Sequence, residues 1–239
     1  ISILKKAQEY KIIKLDTAQG YGDAEKIIGQ AKSKNSNFKI SSKLIPFERN
    51  INLSEPQNLW LKSLKSSFNN LKVLKLDSLI VHRANDFFGD NKNLFLKWLL
   101  QIKEEGLVNK IGVSIYHDDN VMDLPLKHID LIQLPLSTFD QRSIKSGLIS
   151  FLKSKGIEIQ ARSIFLQGLI LAKPPLLPDW VSLKDREFHK KYWEILLKKN
   201  LSSLEVSLNF FKYRKDVDSV VFGVENVSQL NEIHKIWSK

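Results

Sequence analysis

The sequence predicts an α/β fold: a (β/α)8 TIM barrel, in which a parallel sheet is surrounded by helices. The chain has 239 residues, which suits one barrel of this type. Short apolar segments alternate with longer segments of helical periodicity, as in repeated βα units. Chemically reactive side chains follow several apolar segments, where such barrels carry their catalytic residues. We therefore expect residues 1–239 to form a single barrel domain.

The predicted strands are short runs rich in isoleucine, leucine and valine, which is typical of buried strands. In chain order they cover residues 12–15, 38–42, 78–81, 110–113, 129–134, 157–161 and 219–222. A helix precedes the first of these seven strands. Because a closed barrel of this class has eight strands, we expect its first strand to be absent from this chain, or the barrel to be incomplete.

The predicted helices carry apolar residues three or four positions apart, which places those residues on one helix face. Leu61, Leu64 and Phe68 show this spacing in the third helix. Gly106 and Gly156 each follow a helix and are typical helix-ending residues. In chain order the helices cover residues 1–10, 23–32, about 54–71, 93–105, a short segment near 118–124, about 141–155, about 185–214 and 227–237.

The composition excludes several classes of site and partner. The chain has no cysteine, which excludes disulfides, thiolate nucleophiles and cysteine metal sites. It has neither a long uncharged apolar segment nor a signal peptide, so we expect a cytoplasmic protein without a membrane partner. The formal net charge of +11 comes mostly from lysines spread along the chain. We interpret them as a solvated surface and expect no nucleic-acid partner.

Four reactive side chains follow the first three predicted strands: Asp16, Tyr21, Lys43 and His82. Taken singly, each has an ordinary structural interpretation: a turn or helix cap for the aspartate, packing for the tyrosine, a surface position for the lysine and a core position for the histidine. The carboxyl ends of parallel neighbouring strands meet at one edge of a sheet. Together, therefore, these groups favour a site of catalytic proton transfer.

Six segments, in chain order, resemble motifs of the aldo-keto reductase family over nearly the whole chain. They are Asp16-Thr17-Ala18-x-x-Tyr21-Gly22-x-x-Glu25, Ser42-Lys43-Leu44, Leu76-Asp77-x-Leu79-x-x-His82, Gly106-Leu107-Val108-x-Lys110-Ile111-Gly112-Val113-Ser114, Ala161-Arg162-Ser163-x-Phe165-Leu166-Gln167-Gly168-Leu169, and Gly223 with Gln229, Leu230 and Glu232. The fifth segment is similar to the arginine-bearing form of some bacterial branches. The resemblance implies a nicotinamide-dependent carbonyl reductase without a Rossmann motif and without a metal ion.

The resemblance also implies a role for each reactive side chain. Reduction of a carbonyl leaves negative charge on its oxygen, which a proton donor and fixed dipoles must meet. Tyr21 is the expected general acid. Lys43 would lower the phenol pKa, since a nearby ammonium favours the phenolate. Asp16 would keep Lys43 charged and oriented, and His82 would donate a hydrogen bond to the substrate oxygen.

Nine residues match cofactor-binding positions of the family: Ser114, Gln133, Arg162, Ser163, Gln167, Gly168, Gly223, Gln229 and Glu232. The first two are expected at the nicotinamide carboxamide, and the last three at the adenosine end. Arg162 stands where many members stack a tyrosine on the nicotinamide. Ile115 and Ile233 stand where the family usually has asparagine, and no lysine or arginine matches the positions that often hold a 2′-phosphate. NADP is therefore expected from the resemblance alone, and NAD is not excluded.

Two other classes of function stay open. One is a nicotinamide-binding regulatory or weakly active protein of the same fold. The other is a cofactor-independent sugar isomerase or lyase, for which Gly168 and Gly223 give a partial match to phosphate-binding glycines. The expected partner is a small-molecule carbonyl compound, with sugar-derived compounds among the candidates. The variable loops 46–52, 83–91 and 174–184 would select it. The aromatic residues Phe87, Phe88 and Trp180 are candidates either for lining its pocket or for covering the barrel mouth. The sequence predicts no particular oligomeric state.

Overall fold

Seven parallel strands form one sheet in the computed structural model of the protein, which describes residues 2–32, 36–46 and 56–239. The strands are β1 (Lys14–Asp16), β2 (Lys39–Lys43), β3 (Leu76–Val81), β4 (Val108–Ser114), β5 (Leu131–Pro135), β6 (Glu158–Arg162) and β7 (Ser219–Val220). Each strand pairs in parallel with the next strand along the chain. The predicted α/β class is confirmed.

Helices lie in most connections between successive strands, as βα units require, whereas the first helix of the described chain precedes β1, the last follows β7, and only 3-10 turns lie between β4 and β5. The helices are α1 (Ser2–Glu9), α2 (Ala24–Ala31), α3 (Pro56–Leu71), α4 (Lys92–Glu104), α5 (Arg142–Lys145), α6 (Leu148–Ser154), α7 (Leu183–Lys199), α8 (Ser203–Lys212) and α9 (Val227–Trp237). Within the described ranges, no helix is both long and apolar enough to cross a membrane.

The sheet is open between β1 and β7. Among the described residues, β1 pairs only with β2 and β7 only with β6. The seven strands therefore match a (β/α)8 barrel in which one strand is absent from the described part of the chain. The two edge strands have three and two residues, whereas β4 has seven.

Two predicted helices are each divided in the structure. The segment predicted as one helix over 141–155 forms α5 and α6, separated at Gly147, whose φ is 76°. The segment predicted over 185–214 forms α7 and α8, because Asn200 adopts a left-handed conformation and Ser202 caps α8 by accepting a hydrogen bond from Glu205 N at 3.0 Å. Apolar periodicity continues across both breaks, which is why periodicity alone missed them.

Smaller differences lie at the ends of elements. The short helix predicted near 118–124 is a single 3-10 turn at Val121–Asp123, followed by another at Leu126–His128. The strand predicted over 219–222 is ordered as a strand only at Ser219–Val220. Residue 1 of the first predicted helix, residues 54–55 of the third, and most of the loop 46–52 lie outside the described residues.

The apolar core fills the space between the sheet and the surrounding helices. Leu79, Ile111 and Ile132 are buried in this core from β3, β4 and β5. On the outer side, Trp60 of α3 packs against Phe95 of α4 with ring centroids 4.9 Å apart. This packing fixes the central strands, whose carboxyl ends carry the candidate site.

Candidate active site

A buried ion pair joins the carboxyl ends of β1 and β2. Lys43 is 1% exposed, and its Nζ donates to Asp16 Oδ2 at 2.5 Å and to the carbonyl oxygen of Thr17 at 3.2 Å. Burial lowers the pKa of Lys43, and the charge and hydrogen bond of Asp16 oppose that shift. The aspartate therefore stabilises the charged form of an ammonium group that has little contact with water.

Tyr21 lies above this pair in the loop between β1 and α2. Its ring centroid is 5.3 Å from Lys43 Nζ and 6.0 Å from the His82 ring, which it meets edge-on at 81°. Tyr21 is half-exposed, so its phenol is accessible to a ligand. The structure thus brings together all four reactive side chains that follow the first three strands.

His82 follows β3 and is partly buried. Burial lowers its pKa, and the charges of Lys43, Arg83 and Arg162 lower it further, which outweighs the opposing effect of Asp16. The neutral imidazole is therefore favoured near pH 7, with one ring nitrogen able to donate a hydrogen bond. Its Nδ1 is buried and has no hydrogen-bond partner among the described residues.

The phenol pKa of Tyr21 differs from the sequence-based expectation. Burial and then the charge of Asp16 raise the pKa of Tyr21, and Arg162 is the cation that opposes them. The physical reason is that burial removes part of the hydration that a phenolate would need, and that the Asp16 carboxylate disfavours a second negative charge nearby.

A chain of side-chain amides extends from this pair across the sheet. Gln133 of β5 donates to Asp16 Oδ1 at 2.9 Å and to Gln160 Oε1 of β6 at 2.5 Å. Gln160 in turn donates to Ser219 Oγ of β7 at 3.3 Å. Gln160 was not predicted as a site residue. Its signal in the sequence is a polar side chain between two apolar strand residues, Ile159 and Ala161, a feature that Gln133 shares.

A cleft of about 760 Å³ opens beside Asp16 and Tyr21. It is lined by eight of the nine predicted cofactor residues: Gln133, Arg162, Ser163, Gln167, Gly168, Gly223, Gln229 and Glu232. The ninth, Ser114, is buried at the end of β4, where it pairs with Gln133 in the sheet, and it does not line the cleft. Lys43 and His82 also lie outside the cleft lining.

Arg162 provides a guanidinium group at this cleft. Its Cζ lies 4.3 Å from the centroid of the Tyr116 ring, and its amino groups donate to Ile115 O at 3.1 Å and Ser163 Oγ at 3.3 Å. Its Nε is buried without a partner, and among the described residues no carboxylate pairs with it. The cation is therefore available to an anionic ligand.

The loop after β6 has an uncommon backbone conformation. Ser163, Leu166 and Gln167 have φ values of 58°, 45° and 55°, in the left-handed region that non-glycine residues rarely adopt. Two of these three residues line the cleft. Strained conformations of this kind concentrate at ligand-binding sites, which supports this loop as a binding element.

The groups that line the cleft fit a nicotinamide dinucleotide. Ser163, Gln167 and Gln229 supply hydroxyl and amide groups, and Arg162 supplies a cation for a phosphate. A Cβ at Gly223 would meet no atom within 4 Å, so a ligand has open space there. No group of three or more histidine, aspartate or glutamate side chains in the described part of the chain could hold a metal ion.

The aromatic residues named as candidates for a substrate pocket do not line this cleft. Phe87 is buried and packs on Phe95 with ring centroids 5.5 Å apart. Trp180 is 72% exposed. Phe87, Phe88 and Trp180 are all absent from the lining of the cleft.

Comparisons with known proteins agree with this geometry. The sequence model described as "Aldo/keto reductase family" matches residues 1–239. The holo form of the aldo-keto reductase AKR11C1 from Bacillus halodurans superposes with a TM-score of 0.81 at 20% identity, covering 100% of this chain and 81% of that one. The glycerol dehydrogenase AKR11B4 from Gluconobacter oxydans gives 0.69 at 17% identity, covering 98% and 83%. No curated protein sequence matches at a significant level.

Proposed function

Because the chain belongs to the aldo/keto reductase family, we propose that it is an NAD(P)H-dependent oxidoreductase that reduces a small aldehyde or ketone to an alcohol. The observation that carries this proposal is the buried Asp16–Lys43 pair beside Tyr21 and His82, next to the cleft that Asp16 and Tyr21 line. A proton donor, a buried cation and a neutral imidazole are the groups that a developing alkoxide requires.

Tyr21 is the proposed general acid. When bound, a reduced nicotinamide would supply the hydride for the carbonyl carbon. The Tyr21 hydroxyl gives its proton to the carbonyl oxygen, so that oxygen becomes the alcohol and Tyr21 becomes a phenolate. Since Tyr21 is half-exposed, water can return the proton after each turnover.

Lys43 and His82 act on the charge that moves during this step. Lys43, held by Asp16, places a positive charge 5.3 Å from the ring centroid of Tyr21 and so stabilises the phenolate. The neutral His82 donates a hydrogen bond to the substrate oxygen and fixes its position. These roles come from the resemblance, and the distances among the four side chains support them.

The proposed cofactor site is the 760 Å³ cleft. The central part of the nucleotide would be held by Arg162, Ser163 and Gln167. Its outer part, beside α9, would be held by Gly223, Gln229 and Glu232. We propose NADP on the strength of the resemblance and keep NAD as the alternative, because Arg162 is the only cation among the described residues that line the cleft. The proposal also includes a cytoplasmic location, one domain over residues 1–239 and no nucleic-acid partner.

Titration with NADPH and NADH, followed by a panel of aldehydes, ketones and sugar-derived carbonyl compounds, tests this proposal. Quenching of tryptophan fluorescence reports nucleotide binding, and loss of absorbance at 340 nm reports reduction. We expect micromolar binding and reduction of at least one carbonyl compound. Binding without any turnover would favour the regulatory or weakly active alternative. Absence of nucleotide binding would contradict the proposal and favour the cofactor-independent isomerase or lyase.

A further inference from the structure

The loop that carries Tyr21 contacts the rest of the fold through a set of polar side chains outside the cleft. We call residues 17–23, between β1 and α2, the Tyr21 loop. Among the described residues, the Tyr21 hydroxyl has no hydrogen-bond partner of its own. Its position therefore depends on what holds this loop.

Gln19, two residues before Tyr21, attaches the loop to α3. Its side-chain amide donates to Ser63 O at 2.5 Å and to Ser67 Oγ at 2.7 Å, and it accepts from Ser63 Oγ at 2.5 Å. Its backbone N–H donates to Lys43 O at 3.3 Å. One residue of the loop thus contacts both α3 and the strand that carries the lysine.

Glu25, four residues after Tyr21, attaches the other end of the loop. It is 2% exposed, and its carboxylate accepts from Ser42 Oγ at 2.6 Å, Ser67 Oγ at 2.8 Å and Asn70 Nδ2 at 3.3 Å. Ser42 immediately precedes Lys43 in β2. Glu25 therefore connects the start of α2 to the strand position beside the buried ammonium.

Close packing of α2 on α3 holds these groups at hydrogen-bond distance. A Cβ at Gly29 would lie 2.0 Å from Asn70 O, so only glycine allows this approach of α2 to the end of α3. The two helices form a rigid base below the Tyr21 loop.

We propose that Ser67 is a positioning residue for Tyr21, an inference that rests on the proposed function of Tyr21 as the general acid. The Ser67 hydroxyl accepts from Gln19 and donates to Glu25, so it joins the two anchors on either side of Tyr21. Through Glu25 and Ser42, the same hydroxyl is connected to the strand that carries Lys43. It thereby fixes the distance between the phenol and the ammonium.

Loss of the Ser67 hydroxyl is expected to affect turnover and not ligand binding. Ser67, Gln19 and Glu25 do not line the cleft, so cofactor affinity and KM should change less than about twofold. Small displacements of a catalytic group lower the rate strongly, and we expect kcat to fall about tenfold. If Ser67 served only stability, its substitution would lower the measured kcat only in proportion to the fraction of protein that is unfolded.

The test compares Ser67→Ala with Ser66→Ala, since Ser66 is exposed on the same helix. Gln19→Met, at a half-buried position, removes the same hydrogen bond to Ser67 together with the two contacts with Ser63. It gives a second variant should Ser67→Ala fold poorly. Three quantities are measured for each protein: kcat and KM for one reduced carbonyl compound, the dissociation constant of the nucleotide, and hydrogen exchange of the peptide that covers residues 17–23.

We expect Ser67→Ala and Gln19→Met each to lower kcat about tenfold and to speed amide exchange in the Tyr21 loop at least tenfold. The effects of the two substitutions should be less than additive in the double variant, because both remove the Gln19–Ser67 hydrogen bond. Unchanged loop exchange in both variants, or an unchanged kcat, would overturn the proposal. If the wild-type protein reduces no carbonyl compound, the proposed function fails, and loop exchange still decides whether Ser67 positions Tyr21.

Discussion

Tyr21 combines exposure with three charged neighbours, Asp16, Lys43 and Arg162, and both properties bear on its proposed role. It is accessible from the cleft, so a substrate oxygen can reach the hydroxyl. Its raised pKa keeps the proton on the phenol at neutral pH. A general acid has to be protonated before the reaction and stabilised as the conjugate base afterwards. The second requirement falls on Lys43 and Arg162.

Replacement of Tyr21 by phenylalanine removes only the hydroxyl. We expect kcat to fall about 100-fold or more, which is the usual contribution of a general acid, while nucleotide affinity and thermal stability stay nearly unchanged. Tyr213→Phe is a matched control, since Tyr213 is 77% exposed at the end of α8. Reduction by Tyr21→Phe at the wild-type rate would remove Tyr21 from the mechanism.

Arg162 affects the alkaline limit of activity in a defined direction. Its charge lowers the pKa of Tyr21 against the effects of burial and Asp16. Arg162→Met should therefore raise the phenol pKa further and move the loss of protonated Tyr21 to higher pH, whereas Arg162→Lys should shift it less. Phenolate absorbance at 295 nm, taken as the difference from the Tyr21→Phe protein, measures the shift. A lower phenol pKa in Arg162→Met would contradict this electrostatic assignment.

At the scale of elements, two aspartates each join a helix to two neighbouring strands. Each aspartate stands just before one strand, and it binds a lysine of a helix and a backbone N–H of the adjacent strand. Asp130, before β5, accepts from Lys103 at the end of α4 and from Ile111 N of β4 at 2.9 Å. Asp218, before β7, accepts from Lys153 of α6 and from Ile159 N of β6 at 2.7 Å. Each carboxylate thus stands just before the amino end of one strand and accepts from a backbone N–H of the neighbouring strand.

This arrangement predicts how stability depends on pH. Burial alone would raise the pKa of Asp218. The pKa nevertheless lies below its ordinary value of 3.8, because Lys153 and the Ile159 N–H favour the carboxylate. A lowered folded-state pKa stabilises the fold above the unfolded-state value, and that stabilisation is lost as the pH falls through the folded-state value. Asp218→Asn should therefore cost about 1 kcal/mol at pH 7 and progressively less below pH 3.8.

Urea unfolding at pH 7 and near pH 3 measures this effect. Asp179→Asn is the control, because the side chain of Asp179 is fully exposed. A difference between Asp218→Asn and the wild-type protein that stays constant down to pH 3 would show that the carboxylate charge of Asp218 does not stabilise the fold.

The sequence predicted the alternation of strands and helices because each βα unit has its own periodicity. It did not predict the breaks at Gly147 and Asn200, where one residue with a positive φ interrupts a continuous apolar pattern. Local pattern also gave no information on partners far apart in the chain. The amide contacts of Gln160 and the Ser67 network each depend on side chains that meet only after folding.

The same limit explains the outcome at the candidate site. Family motifs located Asp16, Tyr21, Lys43 and His82, and strand order then placed them together. The direction of the Tyr21 pKa shift was not predictable, because it depends on the burial of the phenol and on its distance from Asp16, which only the folded structure sets. Ser114 was assigned to the cofactor from a motif, whereas its burial beneath the cleft follows from packing at the end of β4.

At the scale of the whole molecule, the open sheet divides the structure into a protected centre and two exposed edges. Among the described residues, β1 and β7 each have an unpaired edge, whereas β3, β4 and β5 are paired on both sides. Unpaired strand edges open more readily. We expect amides of β1 and β7 to exchange at least tenfold faster than those of β3 to β5 in hydrogen-exchange mass spectrometry. Equal protection in all seven strands would show that another segment covers the edges.

The central claim, that this chain transfers hydride from a nicotinamide to a carbonyl carbon with Tyr21 as the acid, is tested most directly by isotope transfer. The protein is incubated with a carbonyl substrate and NADPH or NADH deuterated at C4 on the transferred face, and the alcohol is analysed by mass spectrometry. The account predicts one deuterium on the carbinol carbon with the wild-type protein and a rate of transfer about 100-fold lower with Tyr21→Phe. An alcohol without deuterium, or equal rates of transfer in the two proteins, would contradict it.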